Sequence, residues 1–142
     1  LVKQQRLIKR LLGHSDDLVL RYVKTNGKIE EESRWVARGA LPHVIEYRWD
    51  KPVELGAARI ISGRFNGARV LNPVSHFKIQ HRDGERWKDI LPAVEGNSNA
   101  AWAASFPTVQ TTHLRLVITG TPHNISRVWE VELYQPLEDD TK

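Results

Sequence analysis

From residue 42 onward the chain alternates apolar and polar positions in short runs. Ile45, Tyr47 and Trp49 alternate with Glu46 and Arg48. That period of two puts the apolar side chains on one face of a strand and the charges on the other. Pro52 is expected to end the run, because proline cannot donate to a ladder. Ala57 to Ser62 reads as a compact apolar strand, closed by the turn-rich Gly63, Arg64, Phe65, Asn66 and Gly67. Phe77 and Ile79 alternate with His76, Lys78 and Gln80. Asp83 and Gly84 then supply a tight hairpin turn into a strand that carries Trp87 and Ile90. Trp102, Ala104 and Phe106 share one side of the next extended run, Leu114, Leu116 and Ile118 one side of another, and Trp129, Val131 and Leu133 one side of the last. Many strands with frequent turns predict an all-β, antiparallel sandwich or barrel, not a βαβ arrangement.

Two flanking segments break the pattern. Leu7, Ile8, Leu11 and Leu12 fall on one helical stripe among lysines and arginines, with Gly13 positioned to end it. Residues 1–14 therefore read as a short amphipathic linker helix, packing on the sandwich or on a neighbouring domain. Three turns are short for an independent membrane anchor. Residues 137–142, with Glu138, Asp139 and Asp140, form an acidic tail. One domain, residues 15–136, lies between.

Composition changes this picture little. The chain has 142 residues, 40% of them hydrophobic and 27% charged, which suits one globular domain with its own core. Net charge is +4, but Lys3, Arg6, Lys9 and Arg10 precede residue 13; without them 17 of the 21 basic residues face 17 acidic ones. A balanced body argues against nucleic acid as a partner, since phosphate contacts dominate that kind of affinity. There is no cysteine, so thiol nucleophiles, disulfides and cysteine-based zinc sites are excluded. No apolar run approaches the roughly 18 residues of a membrane span. The chain opens on Leu1, as an excised fragment or mature product would. No G-x-S-x-G elbow, H-E-x-x-H helix or glycine-rich phosphate loop occurs, so a non-enzyme is expected. The six histidines are scattered; His76 and His81 fall on opposite faces of one strand, and His43 is expected at a strand edge.

Four stretches, in this order and spacing, carry a resemblance. They are Ser33-Arg34-Trp35 with Pro42 to Tyr47; Ala58 to Gly63; Phe77 to Gln80 with Asp83-Gly84 and Trp87; and Leu114-Arg115-Leu116 leading to Val128 through Tyr134. The chain resembles the coagulation factor 5/8 type C domains, also called discoidin domains, and related galactose-binding-like carbohydrate-binding modules of bacteria. The resemblance implies a jelly-roll β-sandwich of about eight strands whose loops at one end bind a glycan. It further implies an ancillary, C-terminal module of a larger secreted bacterial protein or enzyme, outside the cell, on its surface or in the periplasm. The partners would then be a glycan or polysaccharide and the parent's catalytic domain. The alternative is a structural or interaction domain that packs on the parent enzyme and binds no sugar.

The candidate ligand contacts follow from that likeness. Arg64 matches the family's binding arginine, and with Phe65 and Asn66 it offers a fork of donors, an aromatic face and an amide within three residues. Asn72, Asn97, Asn99, His123 and Asn124 lie in loops with hydroxyl-matching chemistry. Val36 and Gly39 depart from the histidine and second aromatic found after Trp35 in galactose-type members. Many relatives also hold a structural calcium. Glu130 matches its glutamate, Asn26 stands where an aspartate is common, and Glu30, Glu31 or Glu32 could substitute.

Overall fold

The computed structural model describes residues 22–30 and 34–136. The expected linker helix and acidic tail lie outside them. Among the described residues ten strands follow in chain order: β1 Tyr22–Thr25, β2 Lys28–Ile29, β3 Trp35–Arg38, β4 His43–Ser62, β5 Arg64–Phe65, β6 Val70–Leu71, β7 His76–Asp83, β8 Arg86–Asp89, β9 Ala101–Gly120 and β10 Ile125–Tyr134. Eight pair into one antiparallel sheet, in the order β2-β3-β10-β4-β9-β7-β8 with β1 on the outside of β4, while β5 and β6 form a separate hairpin.

The sandwich is this one sheet folded across itself. β4 and β9 are each 20 residues long, well beyond the five or six residues usual for a strand. Their ladder is interrupted between Arg48 and Val53 and again between Leu55 and Ala57. Pro52 falls in the first interruption and Pro107 in the second. Neither has an N–H to give, so the ribbon bends where the ladder is weakest. Pro52 thus bends the strand; the expectation that it would end it is corrected. One half then holds β8, β7, the end of β9, the start of β4, and β1. The other holds the start of β9, the end of β4, β10, β3 and β2.

The alternation of the sequence fills the space between the halves. Ile45, Tyr47, Ile79, Leu114, Leu116 and Ile118 meet Trp35, Ile60, Trp102, Val128, Val131 and Leu133 in one core. Phe77, fully buried on β7, sets its ring edge-to-face against Trp102 at 5.0 Å and 89°, which ties the halves together. Asp83–Gly84 makes the expected hairpin: Asp83 pairs with Arg86, and Gly84, at φ 67°, takes the first loop position that favours glycine.

His43 corrects another expectation. It opens β4 but is buried at 1% exposure, with Nδ1 2.7 Å from Ser126 Oγ and Nε2 3.2 Å from the Gly39 carbonyl. Strand pairing across the sandwich end, which no local pattern shows, encloses it.

Candidate functional site

Because the β4–β9 ribbon bends in its middle, both of its ends arrive at the same end of the sandwich. The loops that follow them are gathered there by hydrogen bonds. Ser62 N–H donates to the Ala100 carbonyl at 2.8 Å, and Gly63 N–H to Arg127 at 2.7 Å. Ser62 Oγ accepts from Val74 N–H at 3.1 Å. Ser75 N–H reaches the Gly120 carbonyl at 3.2 Å, Asn97 N–H the Ser75 carbonyl at 2.9 Å, and Gly39 N–H the Asn124 carbonyl at 3.2 Å. Segments 39–42, 62–75, 96–100 and 120–127 therefore make one pinned surface, and the ligand residues expected from sequence all lie on its segments.

Within that surface the residues divide by what their polar atoms already do. Arg64 and Phe65 form β5, both exposed, Phe65 at 62%. Successive strand residues point to opposite sides, so the hairpin shows a guanidinium on one side and a phenyl ring on the other. Asn66 turns the hairpin: its Oδ1 accepts from Ala68 and Arg69 N–H at 3.1 and 3.0 Å. Asn97 is a brace, its amide donating to the Val74 and Asn99 carbonyls at 2.9 and 3.1 Å while Oδ1 accepts from Asn99 N–H. Asn72, His123 and Asn124 all adopt left-handed backbone, at φ 57°, 58° and 56°. Strain of that kind in non-glycine residues concentrates at ligand sites. His123, Asn124 and Asn99 are exposed and Asn72 half-buried.

Arg64 has company that sequence reading missed. Burial lowers the pKa of Arg127, and the charges of Arg34, Arg64 and Arg38 lower it further, against the opposing effect of Glu30. Arg34 also lies over the Trp129 ring, 5.8 Å from its centroid. Arg38 lies on β3, Arg34 just before it and Arg127 on β10, with Ile125 paired opposite Arg38 and Arg127 opposite Val36. Only that register, between strands far apart in the chain, reveals the cluster. Val36 is buried and Gly39 exposed at φ 96°.

The two residues that the resemblance assigns to calcium have other partners. Asn26 donates its amide to the Pro42 carbonyl at 3.1 Å and accepts from Val44 N–H at 2.9 Å. Glu30 pairs with Arg38 at 3.0 Å, and Glu31 and Glu32 lie outside the described residues. Among the described residues no group of three or more histidine or acidic side chains is placed to hold a metal.

Glu130 instead shares a hydrogen bond with Glu132, which also accepts from the Tyr134 hydroxyl at 2.5 Å and faces Arg59 at 3.5 Å. That bond first, then partial burial and the Glu132 charge, push the Glu130 carboxyl up to about 6, with Arg59 opposing. The folded state thus holds this proton more tightly than the unfolded chain does. The stability it contributes is complete below about pH 4.5 and is lost as pH rises through about 6. Thermal melts are expected to show a falling Tm over this window in the wild type and a flatter profile in Glu130→Gln. An equally steep fall in the variant would remove Glu130 as the cause.

The architecture is the galactose-binding-like β-sandwich of discoidin-type domains. Solved structures that share it include a family 32 carbohydrate-binding module from EndoD of Streptococcus pneumoniae, 19% identical, with a TM-score of 0.63 over 82% of this chain and 90% of that one. Another is the third such module of a family 31 glycoside hydrolase from Clostridium perfringens, 18% identical, with a TM-score of 0.64 over 89% and 96%. A chitosan-binding module from a Paenibacillus sp. IK-5 chitosanase/glucanase, solved with chitotriose, is 16% identical, with a TM-score of 0.61 over 72% and 78%. This chain spans 26% of the length of SpGH29, another structure with the fold, where the match is 14% identical with a TM-score of 0.63 over 84% of this chain. No family model matches the sequence, and no curated protein sequence matches it.

Proposed function

We propose that this domain is a non-catalytic carbohydrate-binding module, an ancillary part of a larger exported protein, which holds a catalytic partner domain close to a glycan. Tethering of this kind raises the effective concentration of substrate without any chemistry in the module itself. The observation that carries the reading is the exposed Arg64–Phe65 pair on a hairpin whose base is bonded to β10 and whose turn is capped by Asn66. A guanidinium fork matches sugar hydroxyls, and an aromatic face matches the C–H side of a pyranose ring. Asn72, Asn99, His123 and Asn124, on segments of the same pinned surface, are the further polar contacts of this reading. The modules of like fold from glycoside hydrolases, one of them holding chitotriose, support a glycan as the ligand class.

A glycan array, followed by calorimetry on the hits, tests this. The expected result is weak, saturable binding that falls at least about tenfold in Arg64→Ala, the loss of about 1.4 kcal/mol of charge-assisted hydrogen bonding. No binding to any glycan at millimolar concentration would replace this reading with that of a domain packing on its parent enzyme.

A further inference from the structure

The outer face of the other half-sheet carries a second set of sugar-matching groups. In register, Glu46 on β4 stands opposite Arg115 on β9, Arg115 opposite Gln80 on β7, and Gln80 opposite Asp89 on β8. One polar row thus crosses four strands on the side away from the core. Opposite charges paired across strands usually approach each other. Here Arg115 leans the other way. Its Nε donates to Gln80 Oε1 at 2.7 Å, its guanidinium stacks on Trp87 at 4.2 Å from the ring centroid, and Gln80 is held in turn by Asp89 at 2.8 Å.

Drawing Arg115 away from Glu46 leaves a cavity of about 230 Å³ between them, lined by Thr25, Asn26, Val44, Glu46 and Arg115. Two of its wall residues are held by hydrogen bonds. Thr25 Oγ1 bonds Gly27 and the Trp35 indole at 2.7 Å, and the Asn26 amide is spent on the backbone of Pro42 and Val44. Among the described residues Glu46 and the two terminal nitrogens of Arg115 have no hydrogen-bond partner. Burial lowers the Arg115 pKa and the nearby Glu46 charge opposes that, while the terminal nitrogens are not among the buried unpartnered atoms and so stay open to a ligand.

We propose that this cavity is a second carbohydrate site, which takes one neutral pyranose by a vicinal diol held between Glu46 and Arg115, with Val44 against the ring. A hydroxyl can accept from a guanidinium while donating to a carboxylate, and adjacent hydroxyls can do both at once. Glu46 and Arg115 balance each other, with Lys24 opposite Glu46 in register and Arg82 acting on Arg115 from the far side; an acidic sugar would meet Glu46 and an amino sugar Arg115 as like charges. The volume is below the ~300–1,000 Å³ of drug-sized sites, which fits one ring and not a chain. The site shares no residue with the Arg64 surface and stands or falls separately from it.

The test is an NMR titration of the whole domain with the methyl glycosides of β-galactose, β-glucose and α-mannose, and with glucuronate and glucosamine as charged controls. Saturable shifts of the Val44, Glu46 and Arg115 amides are expected with at least one neutral glycoside, persisting in Arg64→Ala and weakened at least tenfold in Glu46→Ala. Among the described residues the Glu46 side chain makes no hydrogen bond, so that variant is expected to keep the fold; Arg115→Lys gives an independent loss. Absence of shifts at these amides with all three glycosides, unchanged binding in Glu46→Ala, or tighter binding of either charged sugar would overturn the proposal.

Discussion

Phe77→Ala is expected to lower the free energy of unfolding by about 3–5 kcal/mol, the range for removing a buried aromatic side chain. Phe77 is fully buried and lies between the two half-sheets, so its loss empties volume that no single strand can close. The edge-to-face contact with Trp102 contributes about 0.5–1.5 kcal/mol of this. Domains of this size have only about 5–15 kcal/mol in all, so the variant gives up a large share of it. Urea melts of wild type and variant measure the difference. A loss below about 1 kcal/mol would mean that the halves are held together elsewhere.

Gly63→Ala is expected to damage both stability and ligand binding. Gly63 has φ 115°, where a side chain costs about 1–3 kcal/mol. A Cβ there would also sit 2.6 Å from the Leu71 carbonyl oxygen and 2.8 Å from Val70 Cγ1. The backbone cannot simply yield, because Gly63 N–H is bonded to Arg127. Relief must come from moving β5 against β6, which carries Arg64 and Phe65 out of place. Denaturation should show a loss of about 2–4 kcal/mol, strain and crowding together, and calorimetry should show weaker glycan binding. Gly67→Ala is the control: φ is 93° but nothing lies within 4 Å of a new Cβ, so only the strain remains. Equal effects at both positions would show that contact with β6 plays no part.

Local alternation sets the inward face of a strand but not its partners. Alternation named Ile45, Tyr47, Phe77, Ile79, Leu114 and Leu116 as inward-facing, and all are buried. It could not say that Pro52 bends a strand and does not end it, because that depends on the partner strand continuing past the gap. It put His43 at an edge, because Ser126, its partner, lies 83 positions away. It marked Glu46 merely as a polar spacer, since its relation to Arg115 exists only after β4 and β9 pair.

By itself the sequence determined the strand content, the inward face of most strands, the Asp83–Gly84 hairpin and the loops that hold the Arg64 residues, since period, turn chemistry and order are local properties. Only the tertiary structure decided that β4 and β9 fold over at their proline gaps, which loops share an end, that Asn66 and Asn97 serve the backbone, and that Arg115 turns from Glu46 towards Trp87. Those outcomes depend on register between distant strands, and a side chain's partners are fixed by register and not by its neighbours in sequence.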